Sequence, residues 1–464
     1  MDDTTEWIQA LAQQIGLVVK QSLSAATDPQ AATSLAWIET ALRDVLRQVG
    51  AQALGQLLSA APSTPLAELP CACGGTLQYQ RTRSATVLSV FGRVTYERAY
   101  YAGCPCGQGY APVDEKYGLH AGQVSAGLAE LLTLAGVELA FDHSRRWLKG
   151  FLLFDVSENT IRQETQALGQ EQAAHETCLR DQSQDPTWLQ AHLRTTAPIP
   201  ARLSGSFDAA KVRIEPRKLA EKQAETEAWR DLKVGCWYEA EPVPARHRSA
   251  RQRAVTERGQ LSQRAKNIRY SCDIAEAQTF GKLMWATGCA AQADLTRELV
   301  FVCDGAGWIW NLITTHYPKA VQIVDWYHAA DRLHRVAHAA FNQAAPRERW
   351  LERTTTDLWE GRVTDVSQAC AGLAAQCSEA QEATTYFTNN AARMRYDQYR
   401  ADGYLIGRGT VESSCKQIVT QRLKCSGAQW IIPGAVDTAK ARAAWLSEAW
   451  TPVCTRWSDL PLAI

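Results

Sequence analysis

The sequence predicts a multidomain α+β chain, and three observations predict it. The first 60 or so residues repeat apolar positions at helical spacing. Two close cysteine pairs then bracket β-like runs. From about residue 200, strand-like apolar runs alternate with helical segments. The chain has 464 residues, too many for a single core.

Composition excludes several classes. The hydrophobic fraction of 46% and the charged fraction of 21% are ordinary for a globular protein. No apolar run approaches the ~20 residues that a membrane helix needs. The N-terminus, MDDTTEWIQA, is acidic and has no signal-peptide pattern, so a cytoplasmic protein is expected. Formal net charge is zero, but Arg246, Arg248, Arg251, Arg253, Arg258, Arg264, Lys266 and Arg269 face a single acidic residue, Glu257. A local basic stretch of this kind is either a set of phosphate contacts or a solvated loop.

Residues 1–65 form the first region, helical by the spacing of Trp7, Ile8, Leu11 and Ile15 and of Leu35, Ile38, Leu42 and Val45. Packing or self-association is its expected role. Residues 66–118 form the second. CACGG opens it, CPCGQG closes it, and the runs TLQYQRTRS and ATVLSVFGRVTYERAYYA lie between. Cys71, Cys73, Cys104 and Cys106 predict a zinc-ribbon-like module, because one tetrahedral Zn²⁺ replaces a core too small to form alone. The pairs are C-x-C, tighter than the usual C-x-x-C, and four unliganded thiols are the alternative. The other cysteines among the fourteen are scattered and read as packing residues.

Residues 119–198 read as short helices (AGLAELLTLAGVEL, SRRWLKGFLL, SENTIRQETQALG), with Ser157 as N-cap of the last. Their succession suggests a helix-turn-helix-like DNA reader. Residues 199–450 form the largest region, and a tail follows at 451–464. Strands are expected at ARLSGSFDAAKVRI, LKVGCWYEA, IRYSCDI, ELVFVCDGAG and AVQIVDWYH, the last ending at Asp325 and His328. Helices are expected at AEAQTFGKLMWATGCAA and WIWNLITTHYP. Three strands, a helix, a strand, a helix and a strand is the order of a ribonuclease-H-like α/β domain. An all-helical insertion at about 329–400 follows, and then a helix with Glu412 near its start.

That order explains an otherwise odd feature, a carboxylate at the end of each of two buried-looking strands. Asp208 and Asp304 would sit on neighbouring strands, with Glu412 on a helix beside them. Three converging carboxylates need cations among them. Hard oxygen donors suit Mg²⁺ or Mn²⁺, and a pair of such ions serves phosphodiester chemistry. Taken singly, Asp304 before Gly-Ala-Gly reads as a turn residue and Glu412 as a favourable helix-start charge, and only their joint order on this strand pattern favours a shared site. Trp308 and Trp310 would stack on an unpaired base or pack between helix and sheet.

The blocks CDGAGWIW, DWYHAADRL and IGRGTVESSCKQIVTQRLK, in this order, resemble ISKra-type insertion-sequence transposases, DDE enzymes related to the Mutator-like group. The segment from CACGG to APVDEKYGL is similar to that family's cysteine-bearing N-terminal region. The resemblance spans roughly residues 70–450. It implies Asp208, Asp304 and Glu412 as the catalytic, metal-holding triad. It implies Asp325 and His328 as a D-x-x-H motif that helps position DNA. Lys416, Arg422 and Lys424, at helical spacing after Glu412, would face DNA or solvent. Double-stranded DNA (transposon ends and target) is the implied partner, Mg²⁺ or Mn²⁺ the cofactor with a structural Zn²⁺, and a homodimer or higher assembly the working form, nucleoid-associated. The C-x-C spacing and Ala209, where many relatives have Gly, depart from the family pattern. A transposase-derived DNA-binding protein without catalysis, and a metal-dependent nuclease without strand transfer, are the other readings.

Overall fold

A computed structural model describes residues 34–59, 65–119, 122–215, 228–242, 263–407 and 414–448, with isolated positions between 13 and 20. The chain divides into two compact units, Met1–Glu164 with Arg456–Ile464, and Thr165–Thr455. The division falls inside the helix Glu158–Gln182. Both helices and sheets are present, so the chain is mixed α+β. Among the described residues no helix is long and apolar enough to cross a membrane.

In the first unit, β1 (Glu68–Pro70), β2 (Thr76–Ser89) and β3 (Gly92–Ala102) form an antiparallel sheet in chain order. The break between the two β-like runs falls later than expected. β2 continues through Ser84–Ala85, and the reversal is the two-residue turn at Val90–Phe91, closed by the Ser89–Gly92 pair. Gly92 adopts φ +95°, which a side chain would resist. The helix Leu35–Ser59 lies against this hairpin. Leu58 buries with Val87, Val94 and Tyr96, and the Glu97 N–H donates to Ser59 Oγ at 3.0 Å. The helices Ala126–Glu138 and Phe141–Leu152 and the start of Glu158–Gln182 share a second core of Leu128, Leu132, Leu148, Val156 and Ile161. Leu153, at φ +61°, ends the middle helix in the left-handed conformation. Ser157 caps the third, accepting from the Thr160 N–H at 3.1 Å.

The second unit is built on five strands: β4 (Arg202–Arg213), β5 (Trp229–Pro242), β6 (Gln263–Asp273), β7 (Glu298–Cys303) and β8 (Val321–Val324). Their order across the sheet is β6-β5-β4-β7-β8. β4, β5 and β6 pair antiparallel, whereas β4–β7 and β7–β8 pair parallel. The parallel pairs need crossovers. The helices Ala277–Ala290 and Gly307–His316 supply them. Phe207, Trp237, Phe280, Phe301 and Tyr317 interlock edge-on or tilted beneath the sheet, with ring centroids 5.1–6.2 Å apart.

The fifth strand is shorter than its sequence suggests. It stops at Val324, because the Asp325 side chain caps a new helix, Trp326–Ala340. Further helices follow at Ala344–Trp359, Val363–Ala371, Ser378–Asn390 and Tyr396–Ala401. The chain is described again from Ser414, through a π-helical turn at Lys416–Thr420. The helix Ile432–Leu446 then anchors on the sheet edge. Its buried Lys440 is ion-paired with Glu176 and donates to the Cys272 carbonyl at 2.8 Å.

Candidate functional site

β4 is the central strand, and Asp208 stands on it half-buried. Asp304 is the first residue beyond β7. The parallel register pairs Gly205 with Phe301, so the same offset sets Asp208 level with Asp304. Side-chain bonds hold the two strands together up to that level. Ser206 Oγ donates to the Val302 carbonyl at 2.8 Å, and the Phe207 N–H donates to Cys303 Sγ at 3.4 Å.

The electrostatics follow from this closeness. Burial pushes the Asp208 carboxyl above the ordinary carboxylate range. The negative charge of Asp304 adds to the rise, while the Ala209 N–H, 2.7 Å from Oδ1, opposes it. Asp304 is fixed from two sides. Its Oδ1 accepts from the Ala306 N–H at 2.9 Å, the turn bond expected of Asp before Gly-Ala-Gly. Its carbonyl accepts from the Tyr386 hydroxyl at 2.8 Å. Gly305 makes that approach feasible: φ is +95°, and a Cβ there would lie 2.7 Å from the Tyr386 ring.

Glu412 lies outside the described residues. Cys415, three positions later, brings its thiol up to the Asp208 carboxylate, where it favours the charged form. Burial, then the charge of Asp208, pushes that thiol well above its usual range. Cys415 therefore lies against the strand that carries Asp208.

Asp325 is buried, and its Oδ1 accepts from the His328 N–H at 3.0 Å. His328 Nδ1 is 3.6 Å from the same oxygen, and the imidazole acts electrostatically on Asp208. Asp325 therefore works as a helix cap inside the protein rather than presenting a carboxylate outward. Its N–H donates to the Cys303 carbonyl at 2.7 Å, which joins the ends of β7 and β8.

The expected basic row divides. Lys416 and Lys424 are exposed. Arg422 is 1% exposed and lies over the Trp430 ring at 5.4 Å. Burial pulls its guanidinium down to about 10. Arg422 therefore departs from the outward-facing row, because residues two apart on a helix, such as Arg422 and Lys424, point to opposite sides. Trp310 is buried under Arg393, and the partly buried Trp308 packs edge-on to Phe280. In the basic stretch, the described Arg264 and Lys266 pair with Glu241 at 2.5 and 3.5 Å, and Arg269 donates to the Ala290 carbonyl at 3.1 Å. Positions 243–262 lie outside the described residues.

In the first unit, Cys71, Cys73, Cys104 and Cys106 converge. Their sulfurs lie within 4.8 Å of one another. Three of the separations are 3.3, 3.4 and 3.6 Å. Zn–S bonds of about 2.3 Å place tetrahedral sulfurs about 3.8 Å apart, so the four thiols fit a structural Zn²⁺. Each pair sits in a turn, with Gly74 N–H donating to the Cys71 carbonyl and Gly107 N–H to the Cys104 carbonyl, both at 2.9 Å. Gly75 has no side chain because a Cβ would be 2.7 Å from Cys104 Sγ. Its backbone N–H lowers the Cys73 thiol to about 7, toward the thiolate that a metal requires.

Three contributors escaped the sequence reading. Cys415 looked like one more scattered cysteine. Tyr386 lies in a helix with no local signal. Arg332, 3.9 Å from the Tyr386 ring, is one of many basic residues in that region. Comparison with known proteins adds no family, since no family model matches the chain. No curated protein matches it either.

Proposed function

We propose that the chain is a DDE transposase of the ISKra type, with a ribonuclease-H-like catalytic domain at about residues 199–450. One observation carries the reading. Asp208 on β4 and Asp304 just past the end of the adjacent parallel strand β7 stand level, in a sheet whose chain order reads 3-2-1-4-5 with only the first three strands antiparallel. The contact of Cys415 with Asp208 supports Glu412 as the third carboxylate.

The donor set suits Mg²⁺ or Mn²⁺: hard oxygens, half-buried, one of them already resisting ionisation. Such a cation, when bound, supplies charge neutralisation at a phosphodiester and an activated oxygen nucleophile. The chain's own part is positional. Tyr386 and the Ala306 N–H hold Asp304. Ala209 N–H and Cys415 hold Asp208, and Asp325 holds the helix that carries His328. DNA would be held by the helices between Ala126 and Gln182 and by the exposed Lys416 and Lys424. The first unit would add a zinc-stabilised hairpin.

The test uses purified chain, its own element ends, a plasmid target and Mg²⁺, beside Asp304→Asn. Nicking and end-joining by the wild type, with binding alone by the variant, is the expected outcome. Binding without cutting by both would leave a DNA-binding protein. Cutting without joining would leave a nuclease.

A further inference from the structure

A second set of metal donors lies in the Thr165–Thr455 unit, on residues the carboxylate site does not use. His192 ends the helix Pro186–His192, Cys289 lies in the last turn of Ala277–Ala290, and Asp294 in the turn that follows. The imidazole Nε2 is 3.1 Å from both oxygens of Asp294. A bifurcated N–H bond spans the two oxygens, and a cation in place of that proton faces both. One donor atom from each of His192, Cys289 and Asp294 lies within 4.8 Å of the others.

The site is built rather than incidental. Cys289 is 1% exposed, and the side chains of His192 and Asp294 are 9% and 14% exposed. Trp188, one turn earlier, stacks on the imidazole at 4.8 Å and 9°, which fixes the ring plane. Gln292 takes φ +61°, and the Ala293 N–H donates to the Gly288 carbonyl at 2.8 Å. That turn folds Asp294 back over the helix end. A cavity of about 650 Å³ opens beside the donors, with His192, Cys289, Glu239 and Arg269 in its wall.

We infer that His192, Cys289 and Asp294 bind Zn²⁺, with water from the cavity as the fourth ligand. One nitrogen, one thiolate and one carboxylate is a borderline-soft tetrahedral set that selects Zn²⁺ over Mg²⁺. Binding releases the Cys289 thiol proton and leaves Nε2 unprotonated. The ion fastens the short helix Pro186–His192 to the crossover helix that precedes β7. This inference does not depend on the transposase reading.

The experiment counts zinc in the purified full-length chain by mass spectrometry, after dialysis against excess Mg²⁺ to fill carboxylate-only sites. His192→Ala and Asp294→Asn are each expected to hold one zinc per chain fewer than wild type, with unchanged circular dichroism. Equal zinc in wild type and variants overturns the inference. If either variant fails to fold, Co²⁺ titration of the wild-type chain decides. Thiolate-to-cobalt absorption saturating at two equivalents, one for the four-cysteine cluster and one for Cys289, supports the site, and saturation at one equivalent overturns it.

Discussion

The cysteine cluster and the carboxylate pair are both sites made of convergent ligands, yet they are assembled in opposite ways. The four thiols come from two turns at one end of a single hairpin, each turn shaped by its own glycines. The two carboxylates are brought together by a parallel strand pair whose register spans 96 residues. The first site is a local product, and the second exists only when the sheet is complete. A defect in the first should therefore remove a metal and the fold around it, whereas a defect in the second should remove chemistry and leave the fold.

The largest effect expected is at the cysteines. Cys71→Ser with Cys104→Ser should abolish zinc binding at the hairpin, worth on the order of 10 kcal/mol of apparent folding free energy in small zinc modules. Zinc counting and hydrogen exchange would check it. Protection should vanish from β2 and β3 and persist in β4 and β7; loss in both would break the contrast. Next is Asp304→Asn, which should lower cleavage by roughly 10²–10³-fold or more while leaving the melting temperature near that of wild type. Gly305→Ala combines a positive φ with a clash against Tyr386 and should cost about 1–3 kcal/mol in denaturant melts. Tyr386→Phe removes the bond to the Asp304 carbonyl, a loss of about 1 kcal/mol, and should slow catalysis more than it destabilises.

The smallest effect sharpens the comparison by pH. The folded chain holds the Asp208 proton more tightly than the unfolded chain does, because its carboxyl is pushed up. Metal-free stability should therefore fall as pH rises from the ordinary carboxylate range through the raised folded value. Asp208→Asn should remove that fall, and Mg²⁺ should offset it in the wild type alone. Thermal melts across pH, with and without Mg²⁺, measure both. A wild-type profile that neither slopes nor responds to Mg²⁺ would detach Asp208 from metal binding.

Legibility tracked the range of the interaction. The Ser157 cap, the strands that carry Asp208 and precede Asp304, and the cysteine pairs announce themselves within a few residues. The break expected in the first hairpin was misplaced, because alternation alone does not mark where a strand ends and Gly92 does. Arg422 belongs to a basic row along the chain, yet residues two apart on a helix face opposite ways, and Arg422 packs over the Trp430 ring. Asp325 and His328 looked like a strand terminus, yet the Asp325 side chain starts a helix.

By itself, the sequence determined that this chain is mixed α+β, that four thiols bracket a hairpin, and that Asp208 and Asp304 sit on or just beyond apolar strands. Those are statements about neighbours along the chain, which local geometry enforces. Only the tertiary structure decided that Cys415 touches Asp208, that Tyr386 holds Asp304, and that His192 meets Cys289 and Asp294. These partners are separated by 82 to 207 residues for the first two contacts and about 100 for the third. No local pattern records such meetings, because burial and strand register bring the partners together only once the whole sheet has formed.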